Sequence, residues 1–108
     1  MPKHSIYEQE LAKLTEIFKD VESNKRQLAE GLIQDAAFLL AENHALRANM
    51  ASTGMVKVHP EYPEIQKPTE SAKQYLKNVN SYAVVIKTLN GILNKSGVEE
   101  EEELSEFE

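Results

Sequence analysis

The side chains that could hold a metal or move a proton are few and scattered. There are three histidines, His4, His44 and His59, and no cysteine. None of the histidines forms an H-E-x-x-H pair, and His44 has no acidic residue or histidine four positions on. His59 with Glu61 and Glu64 is the one grouping that could approach a cation, but Pro60 and Pro63 break any regular geometry between them. Without cysteine there is no disulfide framework, no thiolate nucleophile and no Cys-based zinc site. Gly31, Gly54, Gly91 and Gly97 stand apart from one another, so neither a phosphate-cradling G-x-x-x-x-G-K-[ST] loop nor a G-x-S-x-G nucleophile elbow is present. The expectation is a protein that is not an enzyme and carries no metal or cofactor.

Charge offers a second kind of chemistry. The 108 residues hold 12 Lys and Arg against 18 Asp and Glu, a net charge of −6, which argues at first against a phosphate-binding surface. Glu99, Glu100, Glu101, Glu102, Glu103, Glu106 and Glu108, however, place 7 of the 18 acids in the last ten positions. Residues 1–97 alone carry 11 acids and 12 bases, so the acidity belongs to a tail and the body is near neutral. Lys25 and Arg26 lie together, and Lys57, Lys67, Lys73 and Lys77 gather around one segment; these six are the candidate DNA-binding residues. Repeated around a symmetric assembly, their phosphate contacts would add. Leu104 and Phe107, three apart among the glutamates, are the candidate partner-docking residues.

The elements that must position these groups read as helices. Tyr7, Leu11, Leu14, Phe18 and Val21 make one apolar stripe, predicting a helix over 5–21 with Ser5 and Glu8 as a capping box. A longer helix is predicted over 24–52, capped by Asn24 and Gln27 and stopped by Gly54. Residues 54–69 contain Pro60, Pro63 and Pro68 and read as an extended connector, in which 55–58 alternates weakly enough for a short strand. A third helix is predicted over 70–95, with Ser71 and Gln74 as cap partners and Gly97 as breaker. Its stripe of Ala72, Tyr75, Val79, Tyr82, Ile86, Leu89 and Leu93 is the clearest in the chain, and Gly91 within it suits a close approach by another backbone. The fold class is thus all-α: two long helices and a shorter N-terminal one in helical-hairpin or coiled-coil-like packing, a single domain over 1–97, and a disordered acidic tail over 98–108.

Rods this long leave apolar surface that a second copy could cover. Leu32, Leu39 and Leu46 recur seven apart beside Asn43, a polar seam residue of the kind that fixes register in coiled coils. With Tyr75, Tyr82, Ile86 and Leu89 they form the candidate oligomerisation set. No apolar run approaches the roughly 20 residues of a membrane span, and the first residues are not followed by a signal-peptide core, so a soluble intracellular protein is expected.

Residues 31–38 (GLIQDAAF), 56–60 (VKVHP), 75–82 (YLKNVNSY) and 86–93 (IKTLNGIL), followed by an acidic tail, resemble the small terminase subunit of tailed bacteriophages. The resemblance extends from about Tyr7 to the end of the chain. It implies a non-catalytic, ring-forming factor in the host cytoplasm, infected or lysogenic, which recognises viral double-stranded DNA and recruits the large terminase ATPase and nuclease. Many small terminases carry a separate N-terminal helix-turn-helix domain, and this chain shows none. The competing expectation is a coiled-coil structural or regulatory adaptor with no nucleic-acid role.

Overall fold

The computed structural model describes residues 2–106, with side-chain surroundings given for residues 2–94. Three helices and one hairpin follow in the order α1 (Lys3–Ile17), α2 (Ser23–Thr53), β1 (Val56–Val58), β2 (Gln66–Pro68) and α3 (Glu70–Glu106). The all-α class is correct, with a small antiparallel strand pair inserted where the extended connector was expected.

α2 is the spine. Lys3 Nζ reaches Glu42 Oε1 at 3.1 Å while Arg26 Nη1 donates to Lys19 O at 3.0 Å, so α1 runs antiparallel along the N-terminal two thirds of α2. Ser71 lies against Asn49 at one end of α3, and Leu89 joins Ala29, Ile33 and Ala36 further along, so α3 is also antiparallel to α2. Leu14 and Phe18 complete this three-helix core, with Leu11, Val21, Leu32, Tyr82, Val85 and Ile86 around it. Ala29, Ala36, Ala37 and Ala41 are all buried, and their small side chains let the flanking helices lie close to the spine.

The larger apolar cluster occupies one stretch of an elongated body, and Ala41, Met50 and Ala72 are buried beyond it. The molecule measures 69 × 34 × 16 Å with a radius of gyration of 19.4 Å. A compact domain of this length has a radius near 13 Å. Among the described residues no helix is long and apolar enough to cross a membrane.

Several local expectations are corrected. α1 starts at Lys3 behind Pro2, with no side-chain cap, which puts Ser5 and Glu8 inside the helix and dissolves their capping box. α2 starts at Ser23 behind Glu22, again without a side-chain cap, so Asn24 and Gln27 are ordinary first-turn residues. At α3 the cap is Thr69, whose Oγ1 accepts from Ala72 N–H at 3.1 Å; Ser71 instead faces Asn49 Oδ1 at 3.5 Å. Gly54 does end α2, at φ +74° with its N–H donating to Met50 O at 2.7 Å, a conformation glycine adopts without strain. Gly97 does not end α3, which continues to Glu106. One glycine costs only about 1 kcal/mol in a helix interior, and the glutamates that follow are good helix formers.

Two polar groups are taken into the interior. Asn43 is 4% exposed and its Oδ1 has no hydrogen-bond partner among the described residues. Glu10 is 6% exposed and lies 3.5 Å from the Tyr82 hydroxyl. Burial pushes the Tyr82 phenol above its ordinary value near 10, and the neighbouring Glu10 carboxylate adds to the rise through its charge and its hydrogen bond.

The same core settles where the seam residues lie within the chain. Leu89 is buried, and Leu32, Tyr82 and Ile86 pack against the cluster it belongs to. Within the chain, Leu89 thus helps to bind α3 to α2. Leu39, Leu46 and Tyr75 are half-buried, and Asn43 is enclosed by its own chain. The large apolar side chains left on the helix surfaces are Ile17, Leu28, Phe38, Leu76, Val79 and Val84. At Gly31 and Gly91 an added Cβ would meet nothing within 4 Å among the described residues.

Candidate nucleic-acid interface

The hairpin projects beyond the core. Every residue from 51 to 68 is exposed, and the segment is shaped by its own backbone and not by packing. β-Branched Val56 and Val58 favour extended geometry on β1. Pro63 presets the turn in which Ile65 N–H donates to Tyr62 O at 2.9 Å, and His59 N–H donates to Ile65 O at 2.9 Å to close the tip. His59 Nδ1 accepts from the backbone N–H groups of Glu61 and Tyr62 at 3.1 and 3.2 Å, while its ring lies 5.2 Å from that of Tyr62. The imidazole is thus spent on holding the turn. Among the described residues no three His, Asp or Glu side chains converge as a metal site would need, and His59, Glu61 and Glu64 do not assemble one.

Register is what creates the site. β1 pairs with β2 antiparallel so that Val56 faces Pro68, Lys57 faces Lys67 and Val58 faces Gln66. The backbone bonds on either side, His59 to Ile65 and Thr69 to Met55, put Lys57 and Lys67 at a hydrogen-bonded pair, where Cα atoms are about 5.5 Å apart. Residues opposite one another project to the same face, so the two lysine side chains leave the hairpin on one side. Like charges so placed destabilise a hairpin. No carboxylate lies within 4.0 Å of either among the described residues.

The lysine face continues into an open cleft of about 510 Å³ between the hairpin, the end of α2 and the start of α3. Lys73 lines it one turn into α3, with its ammonium 3.2 Å from Glu70 Oε1 in a solvent-exposed pair. Asn49, Thr53, Thr69 and Ser71 give it a polar floor of hydroxyl and amide groups. The first turn of a helix adds a modest positive potential. Chemically the cleft can bind an oxyanion by charge and hydrogen bonding.

Three of the six sequence-predicted basic residues, Lys57, Lys67 and Lys73, are brought together here, and Lys77 follows one helical turn beyond Lys73. Lys25 and Arg26 are not part of this group. They sit at the other end of α2, about 36 Å away at 1.5 Å per residue. Arg26 is tied to Lys19 O at the end of α1 and borders a separate groove of about 320 Å³ with Leu11, Phe18 and Ile33. The floor residues Asn49, Thr53, Thr69 and Ser71 were legible in the sequence only as helix-end residues, since nothing local says that the two ends meet. The side chain of Leu104, and Phe107 entirely, lie outside the described residues.

Comparisons with protein-family models, with curated proteins and with solved structures give no match.

Proposed function

We propose that this chain is a non-catalytic nucleic-acid-binding subunit that works as a homo-oligomer, in the manner of a small terminase subunit. The observation that carries the reading is the cross-strand pair Lys57 and Lys67 on one exposed face, with no carboxylate within 4.0 Å of either among the described residues and Lys73 adjoining. A duplex presents a row of phosphates to such a face, and its binding turns a repulsive pair into an attractive one. Glu61 and Glu64 at the tip disfavour entry of the turn itself into a groove, so the strand face and the start of α3 make the contact. Contacts of this type position a protein on DNA and carry no base information.

Two or three phosphate contacts per chain are too few for firm binding, and repetition around an assembly supplies the rest. Exposed Leu76, Val79 and Val84 on α3 and Leu28 and Phe38 on α2 are the side chains available for contacts between copies. In the full proposal the assembly recognises viral DNA at the start of packaging in the bacterial cytoplasm and recruits the large terminase subunit through the C-terminal segment. The same apolar side chains would equally suit an adaptor that binds a helical partner and no nucleic acid. Native mass spectrometry with and without a random-sequence duplex separates the two. The terminase reading expects a multi-subunit species that takes up DNA at low salt, whereas a multi-subunit species that ignores DNA supports the adaptor.

A further inference from the structure

The lysine cleft lies at one end of the molecule and the acidic run at the other. α3 starts beside the cleft at Glu70 and remains helical to Glu106, carrying Glu99 about 39 Å from Lys73 at 1.5 Å per residue. With α3 helical to Glu106, the glutamates of a chain are carried away from its own cleft. A second copy meets no such restriction. Lys57 and Lys67 lack a carboxylate within 4.0 Å among the described residues, while Glu99, Glu100, Glu101, Glu102 and Glu103 form an unbroken anionic run in the sequence.

We propose that the glutamate run 99–103 of one copy docks on the Lys57, Lys67 and Lys73 face of another, linking copies head to tail and occupying the surface that otherwise takes nucleic acid. The regulatory half of this inference rests on the nucleic-acid reading above; the docking half does not. Carboxylates spaced along a helix or an extended segment act as a stand-in for backbone phosphates, so tail and duplex compete for the same ammonium groups. Because the contact is between different copies, it strengthens with protein concentration and weakens with salt. A heterologous contact of this kind generates a ring where the rotation closes.

The test uses the full chain. An equal mixture of unlabelled and nitrogen-15-labelled protein is treated with a zero-length carbodiimide and the cross-linked peptides are read by mass. Mixed-isotope links from Glu99–Glu103 to Lys57, Lys67 or Lys73 are expected. Alongside, the variant E99Q/E100Q/E101Q/E102Q/E103Q, checked for unchanged helicity by circular dichroism, should bind a random duplex about tenfold more tightly at low salt, the gain fading as salt rises. Absence of links to these lysines, or links only within one chain, overturns the docking, even where the variant binds DNA more tightly through a general change in charge. Mixed links without any gain in duplex affinity overturn the competition. Mixed links, lost in K57Q/K67Q, from a protein that binds no duplex at any salt support the docking and defeat the nucleic-acid reading instead.

Discussion

Replacing Gly91 by alanine is expected to make the isolated chain more stable, and the size of the effect follows from what surrounds the site. Gly91 lies in the interior of α3, where glycine costs about 1 kcal/mol relative to alanine through the backbone freedom it loses. A Cβ at this position meets nothing within 4 Å, so the added methyl neither clashes nor gains a contact. Most of the propensity difference should therefore appear as stability, about 0.5–1 kcal/mol. For a domain of roughly 100 residues that corresponds to a rise in Tm of about 2–6 °C. Gly54→Ala is the matched control with the opposite sign, because φ +74° strains any residue with a Cβ. Thermal and urea unfolding followed by circular dichroism, each at two protein concentrations, measure both variants. A fall in Tm for Gly91→Ala, or a shift to smaller species with unchanged secondary structure, would refute the reasoning: a backbone from another copy would then occupy the space that is open in the single chain.

The remaining predictions test the interior and the hairpin junction. Asn43→Leu should stabilise the chain by about 1–2 kcal/mol in urea unfolding, because it removes a buried Oδ1 that finds no partner; destabilisation would mean that the amide is satisfied by something outside the chain. Thr69→Ala should cost about 1 kcal/mol through loss of the hydrogen bond to Ala72 N–H, and an unchanged urea midpoint would remove Thr69 as the cap of α3. Tyr82 should titrate above the ordinary value near 10 in an ultraviolet pH titration, and Glu10→Gln should lower its midpoint. Since the folded-state value is raised, the stability it contributes is fully present below about pH 10 and is lost as pH rises through the folded value. A Tyr82 midpoint at or below the ordinary value would contradict its burial.

The helices were legible because burial writes a period into the sequence. Leu14, Phe18 and Leu89 all fell on predicted stripes, and all are in the core. A stripe does not say whose helix covers it. Leu32, Tyr82 and Leu89 suited a seam between chains as well as they suit the packing of α3 on α2, and only the three-dimensional arrangement separates the two. Cap residues were read poorly at α1 and α2, since Ser5 and Asn24 have the right chemistry but lie inside helices that begin at Lys3 and Ser23, behind Pro2 and Glu22, without a side-chain cap. In the hairpin, Val56–Val58 was legible as a strand but Gln66–Pro68 was not, because its composition is that of a loop and its pairing depends on the turn at Pro63. The juxtaposition of Lys57 and Lys67 was invisible for the same reason. A slip of one residue in register would place them on opposite faces.

Whether the paired lysines bind phosphate is read from the salt dependence of duplex binding by Lys57→Gln/Lys67→Gln. Each phosphate neutralised adds about 0.9 to the slope of log affinity against log salt, so losing two per chain should flatten the slope by about 1.8 and weaken binding roughly 60-fold at about 0.1 M salt for each chain engaged. Lys25→Gln/Arg26→Gln, at the far end of α2, should leave the slope unchanged. Fluorescence anisotropy over a salt series reads both. A flattened slope in the first variant with the second unaffected is the predicted result. Equal slopes for the first variant and the unaltered chain, or binding too weak to measure in the unaltered chain at low salt, would contradict the account.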